Sequence, residues 1–300
     1  MTNTATADPR MDNIGFETAK KESTFRAVMR RLYHNKTGMA GLIIFLFMVF
    51  LGVFAPIIAP YDYDQMDMTN TFCKPCLEHL CGTDELGRDI FSRLLYGARY
   101  SLGLGLAAQV FQLVFGTALG CIAGYYGGKV DNIIMRFCDV WQSIPGMLLT
   151  VVLSTVLGSG WFNTVLAMGI GGIPGGCRMI RGQLLSIREQ EYVEAAVATN
   201  NSKIRIIWKY MLPNAIQPVI VQTSMGIGGT IMGAAGLSYL GLGVRPPMAE
   251  WGAMITAGRN YFRNYPHMIA FPGLFLAITI LALNMLGDGL RDAMDPRLKT

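Results

Sequence analysis

Charge is what this sequence has least of. Only 15% of its 300 residues are Asp, Glu, Lys or Arg, where a soluble domain carries about 25%. With 52% hydrophobic residues, that deficit moves the expectation from a globular enzyme to an integral membrane protein. Histidine is scarce too, at three residues. There is no H-E-x-x-H, and no Ser/His/acid set is suggested, so a membrane enzyme is disfavoured. A G-x-x-x-x-G-K-[ST] phosphate loop is also missing. Gly128-Lys129 is the nearest approach, but Ala123 stands where the first Gly should be and Val130 where Ser or Thr should be. No cleavable signal peptide is visible, because the first apolar stretch begins near Met39 behind a long charged tail. The net charge of +5 does not indicate a nucleic-acid partner. The basic residues sit at loop ends beside apolar runs, which is the pattern of membrane orientation.

Long charge-free runs take the place of charge. A bilayer-spanning helix needs about 20 apolar residues. The first dozen residues read as disordered, and the polar tail continues to residue 36. The run 37–61 then holds one span near 39–58, closed by Pro56 and Pro60. Further spans are predicted near 100–125, 138–157, 162–182, 214–236 and 264–287, with His267 at the mouth of the last. Gly158-Ser159-Gly160 marks the turn that divides the third from the fourth. Arg136 and Asp139 lie i,i+3 on one helix face and can pair at the interface. Six spans place both termini on one side. The segments on that side carry 18 of the 25 Lys and Arg, so they are expected to be cytoplasmic. The 62–99 loop, with seven acids, is expected to face outward.

No Asp, Glu, Lys or Arg sits at the middle of any expected span. Proton- and ion-coupled carriers need such groups as relays, so a stand-alone carrier or channel is the weaker alternative. Uncharged polar residues dot the spans instead. Gln109, Gln112, Gln142, Gln217, Gln222 and Asn284 either line a solute path or bond helix to helix. Gly116, Gly120, Gly124 and Gly128 recur every fourth residue, and Gly229, Gly233 and Gly236 are spaced similarly. Such stripes permit close backbone approach, within the subunit or at a subunit interface or gate.

Six cysteines fall into two groups. Cys121, Cys138 and Cys177 lie in or beside apolar runs as small core residues. Cys73, Cys76 and Cys81 cluster with His79 in the polar segment. A disulfide, free thiols or a metal site are the three readings, although C-x2-C-x2-H-x-C is tight for a zinc site.

The most specific segment is 191–214. It reads as two short helices and a turn. The first helix, Glu191 to Ala198, is rich in alanine. Asn200 and Asn201 tolerate the left-handed conformation that ends a helix, and Ser202 can cap the next. Ile204, Ile207, Trp208 and Met211 fall on one helical face. Pro213 is expected to stop this helix where the fifth span begins. Helices this short are marginal in water, so their faces must pack, on the chain's own span ends or in a groove on another protein.

Glu194-Ala195-Ala196 followed by Leu212-Pro213 resembles the EAA loop of binding-protein-dependent ABC importer permeases, with Asn200 where that motif has glycine. Gly82-Thr83-Asp84-Glu85-Leu86-Gly87-Arg88-Asp89, Gly124-Tyr125-Tyr126-Gly127-Gly128, Ser238-Tyr239-Leu240-Gly241-Leu242-Gly243 with Glu250-Trp251-Gly252, and the Asp295-Pro296-Arg297 terminus resemble the dipeptide/oligopeptide/nickel branch. The resemblance implies an all-α type I importer permease in a bacterial or archaeal cytoplasmic membrane. It divides the chain into a tail 1–36, a first helix 37–61, an extracytoplasmic loop 62–97, a five-helix transmembrane domain 98–290 with a coupling loop 183–213, and a tail 291–300. Besides membrane lipid, it implies a homologous permease, two ATP-binding subunits holding ATP and Mg²⁺, and an extracytoplasmic binding protein. Glu191, Glu194, Ala195, Ala196, Asn200, Asn201, Ile204, Trp208, Leu212 and Pro213 would form the ATPase-coupling surface. The implied cargo is di- or oligopeptides, or else nickel chelates, glutathione-like or other small solutes.

Overall fold

A computed structural model of the chain describes residues 24–294. The expected disorder of the first dozen residues and the Asp295-Pro296-Arg297 motif lie outside them. The described chain is helical. Its only β pairing is an isolated bridge between Thr83 and Asp89.

Helix α1 (Thr24–His34) leads into α2 (Lys36–Val53), which Asn35 caps by accepting from the Gly38 amide, and then into the short α3 (Ala55–Ile58). Leu32 of α1 is buried against Leu286 and Ala293 near the C-terminal end of the chain. The segment 59–89 carries no regular element of its own. It feeds α4 (Ile90–Tyr126), a helix of 37 residues and therefore about 55 Å long. That exceeds the ~30 Å of a hydrocarbon core. The expected span 100–125 is thus contained in a longer helix, whose first turns lie beside the 59–89 segment.

Gly127 and Gly128 hold φ of 62° and 53°, and this double left-handed step turns the chain from α4 into α5 (Gly128–Gln142). The expected straight span 138–157 is not formed. Instead α5 and α6 (Gly146–Leu157) meet at a bend of 83°. Pro145 is the cause: it donates no amide hydrogen bond and disfavours helix at Ile144. The Gly158-Ser159-Gly160 turn forms as expected, with φ of 82° and 148° at its glycines. It opens α7 (Trp161–Arg188).

Of the six expected spans, four are helices long and apolar enough to cross a bilayer, and the bent α5–α6 pair makes a fifth. Helix α7, with 28 residues, is long enough, but its glycines and Pro174 dilute its apolarity. It packs against α4 above all and then against α10 and α6. The α4–α7 contact uses the glycine stripe. A Cβ at Gly120 would lie 2.7 Å from the Cys177 carbonyl, and one at Gly124 would lie 2.7 Å from Leu184 Cβ. Gly116 meets Gly176 and Cys177 in the same way. Three of the four stripe glycines therefore serve packing within the chain. Gly128 does not, because it has already left α4.

Two short helical pieces follow α7. These are α8 (Glu191–Ala198) and α9 (Lys203–Arg205), the latter continuing through a π turn (Ile206–Met211) into α10 (Leu212–Tyr239). Pro213 does not stop this helix. It stands in the first turn of α10, where the π turn has already shifted the hydrogen-bond register and Leu212 N–H reaches back to the Ile207 carbonyl. The helix runs on from Lys203 to Tyr239. Helices α11 (Trp251–Gly258) and α12 (His267–Met294) complete the chain. Trp251 is fully buried, donating Nε1–H to the Leu94 carbonyl at 3.1 Å.

Candidate functional site

An uncharged cavity of about 340 Å³, its lining part polar and part apolar, opens between α4, α7 and α10. Gln109, Gln112 and Thr117 reach it from α4, Gln222 and Thr223 from α10, and Gly175 and Gly176 form the α7 wall. Glycines make the room. A Cβ at Gly172 would collide with the Gln112 amide, and one at Gly226 with the Gln109 amide. Gln109 is held in place: its amide donates to the Thr223 carbonyl at 3.5 Å, and its oxygen accepts from the Thr230 hydroxyl at 3.3 Å. The Thr117 hydroxyl is buried with no hydrogen-bond partner among the described residues. The lining contains no ionisable side chain. Three of the six candidate path residues thus converge. Gln142 is exposed at the α5–α6 bend, while Gln217 and Asn284 lie outside the cavity lining. Sequence reading missed Thr117, which looks like any threonine in an apolar run; its one signal was a position one turn beyond Leu113 on the glutamine-bearing face.

Below the cavity, the 191–212 loop packs on the ends of α4, α7 and α10. Val193, Ala196, Ile206, Met211 and Leu212 are buried with Ile180, Leu184 and Cys121. The other face is bare. Glu191, Glu194 and Ala195 are exposed, and Val197, Ile204 and Trp208 expose 55%, 71% and 67% of their surface. Ile204, Ile207, Trp208 and Met211 therefore do not share one face. The π turn adds a residue to the helical repeat, which sends Met211 inward with Ile206 and leaves Ile204 and Trp208 outward. Ala196, one of the EAA residues, points into the chain rather than outward.

The turn is built as its residues indicate. Asn200 holds φ 54°, Asn201 donates its amide to the Ala196 carbonyl at 3.0 Å, and Ser202 caps the next helix by accepting from Arg205 N–H. Pro213 is exposed beside it. Asn214 donates to the Tyr192 hydroxyl at 3.2 Å, tying α8 to α10. Lys203 lies over the Tyr126 ring at 5.2 Å, which joins the loop to the corner between α4 and α5. Nearby, Arg181 donates Nη2–H to Asp131 Oδ2 at 2.6 Å and Nε–H to Oδ1, a bidentate pair between α7 and α5. The expected Arg136–Asp139 pair is long at 3.9 Å, because Arg178 takes Asp139 at 2.6 Å. These cross-helix partners lie 39 and 50 residues apart in the chain, so no local pattern could have paired them.

On the opposite side, the 82–89 motif folds the outer segment. Asp84 accepts from Arg88 Nε–H at 2.6 Å and from the amides of Leu86 and Arg88. Asp89 caps α4 through Ser92 and meets His79 Nδ1 at 3.0 Å. The cysteine cluster comes apart around this framework. Cys73 and Cys76 sulfurs are 4.0 Å apart, as two thiols. Cys81 turns into the core beside Ile90 and Leu94, where burial, and then the Asp89 charge, push its thiol up to about 11. Among the described residues no three His, Cys, Asp or Glu side chains are placed to hold a metal ion.

Two family profiles match the chain. Residues 116–300 match the binding-protein-dependent transport system inner membrane component, and residues 23–75 match the N-terminal TM domain of oligopeptide transport permease C. The dipeptide transport system permease protein DppC of Alkalihalophilus pseudofirmus is 40% identical, over 93% of this chain and 91% of its own length. The oligopeptide transport system permease protein OppC of Bacillus subtilis is 40% identical over 93% and 92%. The glutathione transport system permease protein GsiD of Pectobacterium atrosepticum is 41% identical over 92% of each. Among solved structures, a chain of the inward-facing MetNI methionine ABC transporter superposes with a TM-score of 0.56 at 19% identity, over 69% of this chain and 98% of that one. That likeness gives the fold, a type I ABC importer permease. With both profiles and full-length relatives in agreement, the chain belongs to the binding-protein-dependent transport system inner membrane component family, the membrane permeases of ABC importers.

Proposed function

We propose that this chain is one of two homologous permeases that enclose a path for di- or oligopeptides. An extracytoplasmic binding protein delivers the solute, and two ATP-binding subunits, which hold ATP and Mg²⁺, drive its passage. The names of the relatives support the cargo class. In this reading six spans cross the membrane, with both termini and the 183–213 loop in the cytoplasm and the 62–97 segment outside. Gln109, Gln112 and Gln222 face the solute: primary amides both donate to and accept from a peptide backbone. Cys73 and Cys76 are the outer thiols that an oxidant would join.

The observation that carries the coupling role is the bare apolar face of Ile204 and Trp208. These two residues stand on the same helix whose later turns bring Gln222 and Thr223 to the cavity. A partner that moves the loop can therefore move the cavity wall through one continuous helix. In Ile204→Glu/Trp208→Glu, the chain should still insert, because neither side chain is buried. Co-purification of ATP-binding subunits and ATP-dependent peptide uptake should both fall at least tenfold. Undiminished uptake would sink the docking role.

A second reading keeps the architecture and changes the cargo. The glutathione permeases, at 41% and 42% identity, are as similar as the peptide permeases. Glutathione-like compounds or nickel chelates would use the same neutral cavity. Competition of labelled dipeptide uptake by glutathione in the reconstituted importer separates the two. An ion-coupled carrier acting alone has less support, since the cavity offers no ionisable relay.

A further inference from the structure

A second opening of about 340 Å³ lies between α2 and α4, with Ile227 of α10 as its floor. Its walls are Phe45, Val49 and Val53 on one side and Leu102 and Leu106 on the other. Val53 and Leu106 expose 62% and 52% of their surface, so the groove opens away from the core. Glycine shapes both ends. Gly52 pins α2 onto α4, since a Cβ there would lie 2.9 Å from the Arg99 amide. At Gly103 the nearest atom to such a Cβ is Trp161 Cζ2 at 3.6 Å, which leaves the floor open.

One wall residue is out of character. Arg99 contributes to the lining of this apolar groove, is exposed, and its guanidinium makes no hydrogen bond or ion pair among the described residues. Asp62 and Asp64 approach Tyr96, as Arg99 does, but neither forms an ion pair with Arg99. An unpaired guanidinium beside lipid-facing residues is costly unless it reaches water or an anion. Its height is marked independently by a tyrosine cluster. Tyr63 packs on Tyr96 and Tyr100, with ring centroids 4.9 and 6.1 Å away, the signature of an interfacial aromatic belt.

We propose that this groove is a phospholipid site. One acyl chain lies between α2 and α4, and Arg99 holds the headgroup phosphate at the tyrosine belt, in the leaflet nearest the 59–89 segment. Guanidinium matches phosphate in charge and in forked geometry. The bound lipid mortars the N-terminal helix, which belongs to the profile over residues 23–75, onto the transport domain matched over 116–300. The site depends on membrane residence alone and not on what cargo the importer carries.

Native mass spectrometry of the full chain, with its co-purifying subunits, tests the site by titrating dioleoyl phosphatidylglycerol against dioleoylglycerol, which has the same acyl chains and no phosphate. The wild type should bind one phosphatidylglycerol about tenfold more tightly than the diacylglycerol, the effect of one charge-assisted contact. Arg99→Gln should abolish that preference, and Arg99→Lys should keep most of it. Gly103→Leu, which fills the groove, should weaken both lipids. An equal preference in wild type and Arg99→Gln would overturn the headgroup assignment. Unchanged binding of both lipids in Gly103→Leu would overturn the groove. The headgroup preference is a ratio measured within each variant and so does not depend on how well a variant folds, and the Gly103→Leu arm is read on protein whose melting temperature matches the wild type.

Discussion

The side-chain amide of Asn201 donates to the carbonyl of Ala196 at 3.0 Å, and this bond closes the turn in which Asn200 holds φ 54°. The family motif has glycine where this chain has Asn200. Asparagine is among the few residues that enter the left-handed region routinely. Asn200→Gly should therefore leave ATP-dependent uptake within about twofold of wild type. Asn200→Val places a β-branched residue there and should cost about 1–2 kcal/mol. It should open the loop to limited proteolysis and cut uptake. Equal proteolytic resistance of the glycine and valine variants would show that the turn does not depend on φ at this position.

The two-helix loop was legible in sequence because each of its parts is local: an alanine-rich helix, two asparagines and a capping serine. Its phase was not. The π turn at 206–211 is imposed by the need to bury both Ile206 and Met211 while the helix continues into α10, and it overrides the simple repeat that grouped Ile204 with Met211. The spans were legible from missing charge, and the break at Pro145 was passed over because the charge-free run continues across Gln142, Ser143 and Pro145. Gln109, Gln112 and Gln222 were visible as polar residues in apolar spans. That they meet, and that Gln142, Gln217 and Asn284 do not join them, depends on helix rotation, which no single span encodes.

Gly120 sits in the close contact between α4 and α7. A Cβ there would come within 2.7 Å of the Cys177 carbonyl and 2.8 Å of Ile180 Cβ, neither of which is a flexible end that can swing away. Gly175, on the cavity wall, has nothing within 4 Å of the equivalent point. Gly120→Ala should thus destabilise the detergent-solubilised protein by about 1–3 kcal/mol, the usual cost of overpacking. Gly175→Ala should leave melting unchanged and act, if anywhere, on transport. Thermal melts of the two variants side by side check the assignment of the stripe to internal packing.

Thiol labelling should divide the outer cysteines. Cys76 is exposed, whereas Cys81 is buried with its thiol raised to about 11. A raised thiol pKa leaves little thiolate at pH 8, and the thiolate is the form that reacts. In reduced, folded protein at pH 8, iodoacetamide should modify Cys76 rapidly and Cys81 more than 100-fold more slowly. Raising the pH to 10 should speed Cys81 about in step with its thiolate fraction, and denaturant should abolish the difference. Comparable rates for Cys76 and Cys81 in folded protein would place Cys81 outside the core.

Glu250 gathers three helices on one carboxylate. It caps α11 by accepting from the amides of Gly252 and Ala253, each at 2.8 Å, and it accepts from Ser238 of α10 at 2.9 Å and from Ser101 of α4 at 3.4 Å. The side chain is 1% exposed, so none of these donors has water as a substitute. Glutamine keeps one acceptor oxygen and turns an NH₂ toward donors on the other side. Glu250→Gln should therefore cost about 1–3 kcal/mol, for a lost charge-assisted bond and one mismatched donor. Glu250→Ala loses the helix cap as well and should be worse by about 1 kcal/mol more. The order of melting temperatures, wild type above Gln above Ala, is the diagnostic. If the acid served only to place a charge near the outer surface, Gln and Ala would melt together. If only its volume mattered, Gln would match wild type. A middle value for Gln requires that the individual donors be counted, as the four distances imply.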